Sequence, residues 1–168
     1  SGRQIKSLSI GVIGYGRLGS YFANYCDAFG AQVYVYDPYK SVNHPRINQV
    51  TNIYQIAINS DVISLHVHVN KETKNIINKN FLDKCKPNVL FVNTSRGEII
   101  DEIDLVQFMK SNRKSKYATD VLSNEINGIY NNPIKLYFDE NQNQVIITPH
   151  IGGMTTEAQN MAFGHAAF

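Results

Sequence analysis

Apolar residues in this chain come in short blocks whose rhythm alternates between that of a strand and that of a helix. Leu8 to Ile13 is a largely apolar run, as expected of a strand covered on both faces of a parallel sheet. Leu18, Tyr21, Phe22, Tyr25 and Phe29 then recur at helical spacing and predict an amphipathic helix, with Gly30 placed to end it. Gln32 to Tyr36 is a second β-rich run that ends on Asp37-Pro38. From Lys40 to Thr51 the signals are polar and turn-like, with Pro45 breaking any helix. Ile53 to Ile58 predicts a short helix, Asp61 to Val69 a third strand, Asn70 to Lys74 a polar link, Ile76 to Cys85 a further helix, and Asn88 to Asn93 a fourth strand. Asp101 opens another helix, whose stripe is Leu105, Val106 and Met109 flanked by Ile103 and Phe108, with Arg113 and Lys114 suited to its C-terminal end. Lys116 to Val121 reads as a fifth strand, Asn124 to Gln144 as a long polar and aromatic loop, and Val145 to Thr148 as a sixth strand running into Pro149-His150. Strands alternating with helices predict an α/β fold: a Rossmann-type doubly wound parallel sheet in three α/β/α layers.

Composition adds boundaries. At 168 residues, one compact domain with a sizeable core is expected. The chain is 43% hydrophobic and 18% charged with a net charge of +2, and its charges of both signs are interspersed. Such a surface argues against a nucleic-acid partner, which would call for a basic stripe. No apolar run approaches the roughly 20 residues of a membrane span, and the first residues lack the layout of a signal peptide. Cys26 and Cys85 are far apart and form no C-x-x-C, so they read as reduced thiols of a cytoplasmic protein. No Cys/His cluster has metal-ligand spacing, and no metal is expected.

The first candidate chemistry lies between the first strand and the first helix. Gly14, Gly16 and Gly19 stand in G-x-G-x-x-G spacing. Gly14 would make a tight turn, Gly16 would clear the way for a diphosphate at the helix N-terminus, and Gly19 would let helix and strand pack closely. Asp37 lies 18 residues after Gly19, at the end of the second strand. An acid there can accept the ribose hydroxyls of adenosine and would repel a 2′-phosphate, which favours NAD over NADP. Taken alone, Asp37 before a proline is as readily a turn residue; the glycine loop decides between the two.

Four further stretches carry a resemblance: Asn93 to Asp101 (NTSRGEIID), Thr119 to Glu125 (TDVLSNE), Thr148 to Gly153 (TPHIGG) and, more loosely, Ser64 to Thr73 (SLHVHVNKET). With the glycine loop they make the chain resemble, from about Gly2 to Phe168, the NAD-binding domain of the D-isomer-specific 2-hydroxyacid dehydrogenases. The resemblance implies a single NAD-binding domain over 1–168, NAD as cofactor, and a small 2-hydroxy or 2-oxo acid as substrate. It also implies that a second, substrate-binding domain lies outside this chain, and that a homodimer forms through the present domain.

Residue by residue, Arg96 matches the substrate-orienting arginine, whose planar two-donor fork fits a carboxylate. His150 matches the proton donor and acceptor, a role suited to an imidazole. Glu125 is the candidate partner of His150; the family usually has proline after this glutamate where Ile126 stands here, and Glu140 is the alternative. Cofactor contacts are implied for Gly14, Tyr15, Gly16, Arg17, Leu18 and Gly19 around the diphosphate, and for Asp37 at the adenosine ribose. Thr94, Ser95 and Arg96 would lie near the nicotinamide ribose, Asp120 would accept from the carboxamide, and His150, Gly152 and Gly153 complete the set. His66 matches a frequent family position, whereas His68 and Asn70 depart from its proline and threonine. The expected function is hydride transfer between NAD(H) and a small D-2-hydroxy or 2-oxo acid; the alternative is a non-enzymatic NAD-sensing module of the same fold. Thr156 and Gln159 could form a capping box for a helix bearing Met161, Ala162, Ala166 and Phe168 on one face, which suggests a piece that ends inside a helix.

Overall fold

A computed structural model of the chain describes residues 2–160. Its centre is a sheet of seven parallel strands in the order β3-β2-β1-β4-β5-β6-β7. These are β1 (Ser9–Ile13), β2 (Gln32–Tyr36), β3 (Ile47–Val50), β4 (Val62–Leu65), β5 (Leu90–Asn93), β6 (Lys116–Thr119) and β7 (Val145–Ile147). Between them run the helices α1 (Arg17–Ala28), α2 (Ile53–Asn59), α3 (Lys79–Leu82), α4 (Glu102–Ser111) and α5 (Pro133–Glu140). The order reverses at β1, where β2 lies on one side and β4 on the other.

Alternation along the strands divides the core in two. Ile10, Val12, Val33 and Val35 face α1 and bury Ala23 and Cys26. Ile13, Ile63, Leu65, Phe91 and Tyr117 face the other way and pack against Ile56 of α2, Phe81 of α3, Leu105 and Met109 of α4, and Ile134 and Tyr137 of α5. Helices on both faces give the three layers expected, and every strand points its C-terminal end at the same edge of the sheet.

Several local expectations need correction. The 40–51 segment contains a strand, β3, held to β2 by its backbone ladder and by Asn48, whose side-chain amide donates to the Val33 carbonyl at 3.2 Å. The 124–144 segment contains α5, started by Asn132 as its cap and by Pro133 in its first turn. The third strand stops at Leu65 and the helix of 76–85 shrinks to Lys79–Leu82. Lys110 sits in the last turn of α4, which ends at Ser111, before Arg113 and Lys114. The expected face of α1 turns largely outward: Leu18, Tyr21, Tyr25 and Phe29 are exposed, while Phe22 packs half-buried against the core and Gly19, Ala23 and Cys26 are buried. Close packing on the sheet selects small residues there, since a Cβ on Gly19 would sit 2.1 Å from the Gly14 carbonyl oxygen. A helical turn starts at 156 and is capped by Thr155, whose hydroxyl accepts the Ala158 amide at 3.1 Å, so the Thr156/Gln159 box does not form. The stripe expected from Met161 to Phe168 lies outside the described residues.

Candidate active site

The strand ends at the C-terminal edge of the sheet present the candidate residues side by side. After β1 the chain turns at Gly14, with φ at +95°, a backbone conformation that an L side chain resists. A Cβ there would also collide with the His66 carbonyl at 2.5 Å. Gly16 caps α1 without a side chain, and a Cβ on it would meet no atom within 4 Å. Open space therefore lies in front of the α1 N-terminus, where unpaired amides and the helix dipole attract an anion. Arg17 and Leu18, both exposed, stand at its rim.

Asp37, at the end of β2, is fixed by backbone donors. Its Oδ2 accepts the Tyr15 amide at 2.7 Å, and its Oδ1 accepts those of Tyr39 and Lys40 at 2.8 and 3.0 Å. It lines a mainly apolar cavity of about 320 Å³ with Ile13, Gly14, Tyr36, Pro38, Val67 and Ile76. That cavity also holds Tyr39, whose hydroxyl donates to Glu72 at 2.5 Å; the adjacent carboxylate pushes the phenol up. On the other side of the glycine loop, Gly16, Arg17, Leu18, His66, His68, Thr94, Ser95 and Arg96 line a second cavity of about 510 Å³. The two cavities share Val67 and flank the α1 N-terminus, so an elongated diphosphate with a base at each end fits across the edge. The Ser95 hydroxyl is already committed to the Leu65 carbonyl at 2.6 Å, while Thr94 is exposed.

His66 is largely enclosed at this junction. Its Nε2 lies 2.9 Å from the Ser64 hydroxyl, and its ring centroid lies 5.2 Å from that of Phe22. Burial pushes its imidazole down to about 4. Asn70 caps its own loop, accepting the amides of Glu72 and Thr73 at 2.8 and 2.9 Å.

The third group gathers around His150, which follows β7. Its Nδ1 lies 2.6 Å from Glu125 Oε2, leaving Nε2 free to face a ligand. Glu125 comes from the segment after β6, and its other oxygen accepts the Leu122 amide. The carboxylate facing His150 is thus Glu125; Glu140 lies exposed at the end of α5. His150 has φ at +53°, one of three non-glycine residues in that region among the described residues. Asp120 holds the strained turn. Its Oδ1 accepts the Thr148 hydroxyl at 2.5 Å and the Ile151 amide at 3.0 Å, and its Oδ2 accepts the Gly152 amide at 2.7 Å. Burial pushes the Asp120 carboxyl up, but these donors and the nearby His150 outweigh it and leave the group below the usual carboxylate range. Gly153 is exposed, with nothing near its Cβ position.

Arg96, Glu125 and His150 all line one further cavity of about 240 Å³, together with Gly97, Leu122 and Asn127. The exposed Arg96 extends from the end of β5, with its Nη1 donating to the Ser95 carbonyl at 2.6 Å. A cation with a planar donor fork and an imidazole backed by a carboxylate therefore share one small space. That set can bind a carboxylate and move a proton at a neighbouring oxygen. Sequence reasoning overlooked Tyr39 and Glu72 here, because the exposed Tyr-Glu pair has no motif of its own. Among the described residues no group of three or more His, Cys, Asp or Glu side chains could hold a metal ion.

Comparison with known proteins identifies the family of the chain. The family described as D-isomer specific 2-hydroxyacid dehydrogenase, NAD binding domain, matches residues 1–152. The chain is 36% identical over 166 residues to a D-3-phosphoglycerate dehydrogenase of Mycobacterium leprae (strain TN), covering 96% of this chain and 30% of that protein. It is 32% identical over 164 residues to the corresponding enzyme of Haemophilus influenzae, covering 95% of this chain and 39% of the relative. Among solved structures, a D-lactate dehydrogenase from Aquifex aeolicus complexed with NAD and lactic acid superposes with a TM-score of 0.87 at 32% identity, covering 98% of this chain and 52% of that one. The chain thus spans about a third of these curated relatives and half of the solved enzyme.

Proposed function

The chain belongs to the D-isomer-specific 2-hydroxyacid dehydrogenase family, as its NAD-binding domain, and from that premise we propose that it serves an oxidoreductase that interconverts a small D-2-hydroxy acid and its 2-oxo acid. Bound NAD(H) supplies or receives the hydride. The glycine loop and the α1 N-terminus would take the diphosphate, and Asp37 would take the adenosine ribose. Arg96 would grip the substrate carboxylate, turning the carbonyl toward the Nε2 of His150. In the reductive direction His150 gives its proton to the carbonyl oxygen as negative charge develops there. In the oxidative direction the neutral ring takes the hydroxyl proton. Glu125, on the far nitrogen, orients the ring and balances the charge it carries when protonated.

The observation that carries this reading is the convergence of Arg96, Glu125 and His150 on one cavity, with the Glu125–His150 contact at 2.6 Å. The relatives are longer, and a second domain would be needed to shut water out of the site. The 168-residue chain alone should therefore bind NADH and turn over slowly or not at all. In the full-length protein, His150→Ala should lower 2-oxo acid reduction by about 10² to 10⁴-fold. NADH affinity, measured by fluorescence titration, should change far less than the rate, because the diphosphate and ribose contacts proposed for the glycine loop and Asp37 are untouched. An unchanged rate would overturn the mechanism. Pairing of two copies through this domain belongs to the same proposal, with the exposed Leu18–Phe29 face of α1 as the candidate surface; sedimentation of Tyr25→Glu beside wild type tests it.

A further inference from the structure

Three glutamates converge on three consecutive backbone amides. Leu122 donates to Glu125, Ser123 donates to Glu102 Oε1 at 2.9 Å, and Asn124 donates to Glu98 Oε1 at 3.3 Å. Glu102 is the buried member of the set, at 6% exposure. Burial pushes its carboxyl up, and its hydrogen-bond donors pull the other way. Its second oxygen accepts the Asn132 side-chain amide at 2.5 Å. Asn132 is itself buried, and its Oδ1 caps α5 by accepting the amides of Ile134 and Lys135 at 2.9 and 3.1 Å. One carboxylate in the first turn of α4 therefore ties down both ends of the 123–132 loop, and that loop carries Glu125.

The same helix begins just after the Arg96 turn. Between them, Gly97 presses directly on the loop: a Cβ there would lie 2.1 Å from the Leu122 carbonyl carbon and from the Ser123 nitrogen. A buried carboxylate is costly unless its acceptor sites are filled, and an apolar side chain would fill the space without that cost. What the carboxylate adds is direction, because it accepts only and so fixes two specific donors.

We propose that Glu102 is a positioning residue for the reaction, setting the separation between the Arg96 fork and the Glu125–His150 pair through Ser123 and Asn132. Its activity readout rests on the function proposed above; its structural readout does not.

The test uses the full-length protein with Glu102→Gln, Asn132→Asp and the double variant. Glu102→Gln keeps an acceptor for the Ser123 amide but turns a donor toward the Asn132 donor. Asn132→Asp keeps the α5 cap but turns an acceptor toward Glu102. In the double variant the pair is complementary again with its polarity reversed. Two readouts are taken: kcat and KM for 2-oxo acid reduction, and the low-field proton resonance of the hydrogen-bonded His150 Nδ1–H. Each single variant should lose that resonance and lower kcat by about tenfold, since small misplacements of reacting groups are costly, with NADH affinity within about twofold of wild type. The double variant should recover part of both, since Asn132→Asp also removes the 3.3 Å bond from the Asn132 amide to the Ser123 carbonyl. Single variants with wild-type resonance and kcat overturn the proposal, as does a folded double variant no better than the singles. If Glu102→Gln does not fold, Asn132→Gly decides, because glycine is tolerated at an N-cap and removes the donor; an unchanged resonance there overturns the proposal. If wild type reduces no 2-oxo acid while the resonance responds as expected, the proposed function falls and the positioning role stands.

Discussion

Asp37 is aimed before any ligand arrives. Three backbone amides, from Tyr15, Tyr39 and Lys40, hold its carboxylate at the end of β2 and leave one lone-pair direction on Oδ2 for a ribose hydroxyl. A 2′-phosphate in the same place would meet this charge and that of Glu72, which Tyr39 holds beside the same cavity. Asp37→Ala should weaken NADH binding by about tenfold, the value of one charge-assisted hydrogen bond, and should leave NADPH binding unchanged or tighter. Fluorescence titration with both nucleotides checks this, and an unaltered NADH-to-NADPH ratio would mean that selectivity lies elsewhere. Residues of this kind could be read in the sequence because their chemistry restricts both type and spacing: Gly14 and Gly16 around a turn, Asp37 at a strand end, Arg96 and His150 in their own short motifs. Glu102 and Asn132 could not. They stand 30 positions apart, and only the packing of α4 against the 123–132 loop brings the carboxylate to the amide.

Among the elements, the crossing of α1 over β1 is the one least free to change. Gly19→Ala would place a Cβ 2.1 Å from the Gly14 carbonyl, within the backbone of the turn itself. The helix must then lift, at a cost of about 1–3 kcal/mol for overpacking, and the amides facing the diphosphate lift with it. A lower melting temperature together with weakened NADH binding is expected, while Gly153→Ala, with open space around it, should melt like wild type; equal melting of the two variants would refute the close crossing. The same closeness explains why the helix was legible in the sequence and its buried face was not. Hydrophobicity points to Leu18, Tyr21, Phe22, Tyr25 and Phe29, of which Phe22 alone packs inward, while the positions that lie closest to the sheet are the small Gly19, Ala23 and Cys26. The strand β3 escaped because it is an edge: it pairs with β2 alone, and INQV buries only Ile47 and Val50 around two exposed polar residues. The fifth helix carried its start signal in Asn132-Pro133, yet at eight residues its apolar period hardly repeats. The inner strands, covered on both faces, left the clearest trace.

At the scale of the whole molecule, acid should unfold this domain in two stages. His66 sits against Phe22 with its imidazole pushed down to about 4 by burial, against 6.5 when unburied. The unfolded chain thus takes up a proton that the folded chain refuses, and stability falls as pH drops from about 6.5 toward about 4, then stays level for this group. The loss is of order 1–3 kcal/mol. Below that, Asp27, Asp61 and Asp120 are each held under the usual carboxylate range. For Asp27 the leading cause is its hydrogen bond from Arg46; for Asp61 and Asp120 burial pushes up and is outweighed, by Lys86 and the Ser9 amide in one case and by Thr148 and two amides in the other. Their contribution is present above about 3.8 and is lost as pH falls through their folded values. Glu102, pushed up by burial, works in the opposite direction: it gains a proton in the folded state first and offsets part of the fall. Urea midpoints measured at about pH 7, 5.5, 4.5 and 3.5 should decline throughout in wild type. His66→Gln, which keeps a donor near Ser64 and cannot titrate, should decline little above about pH 4.5 and then follow wild type down. Parallel curves for the two proteins across the upper range would show that the imidazole is charged in the fold, and that its enclosure between Phe22 and the glycine loop does not exclude a proton.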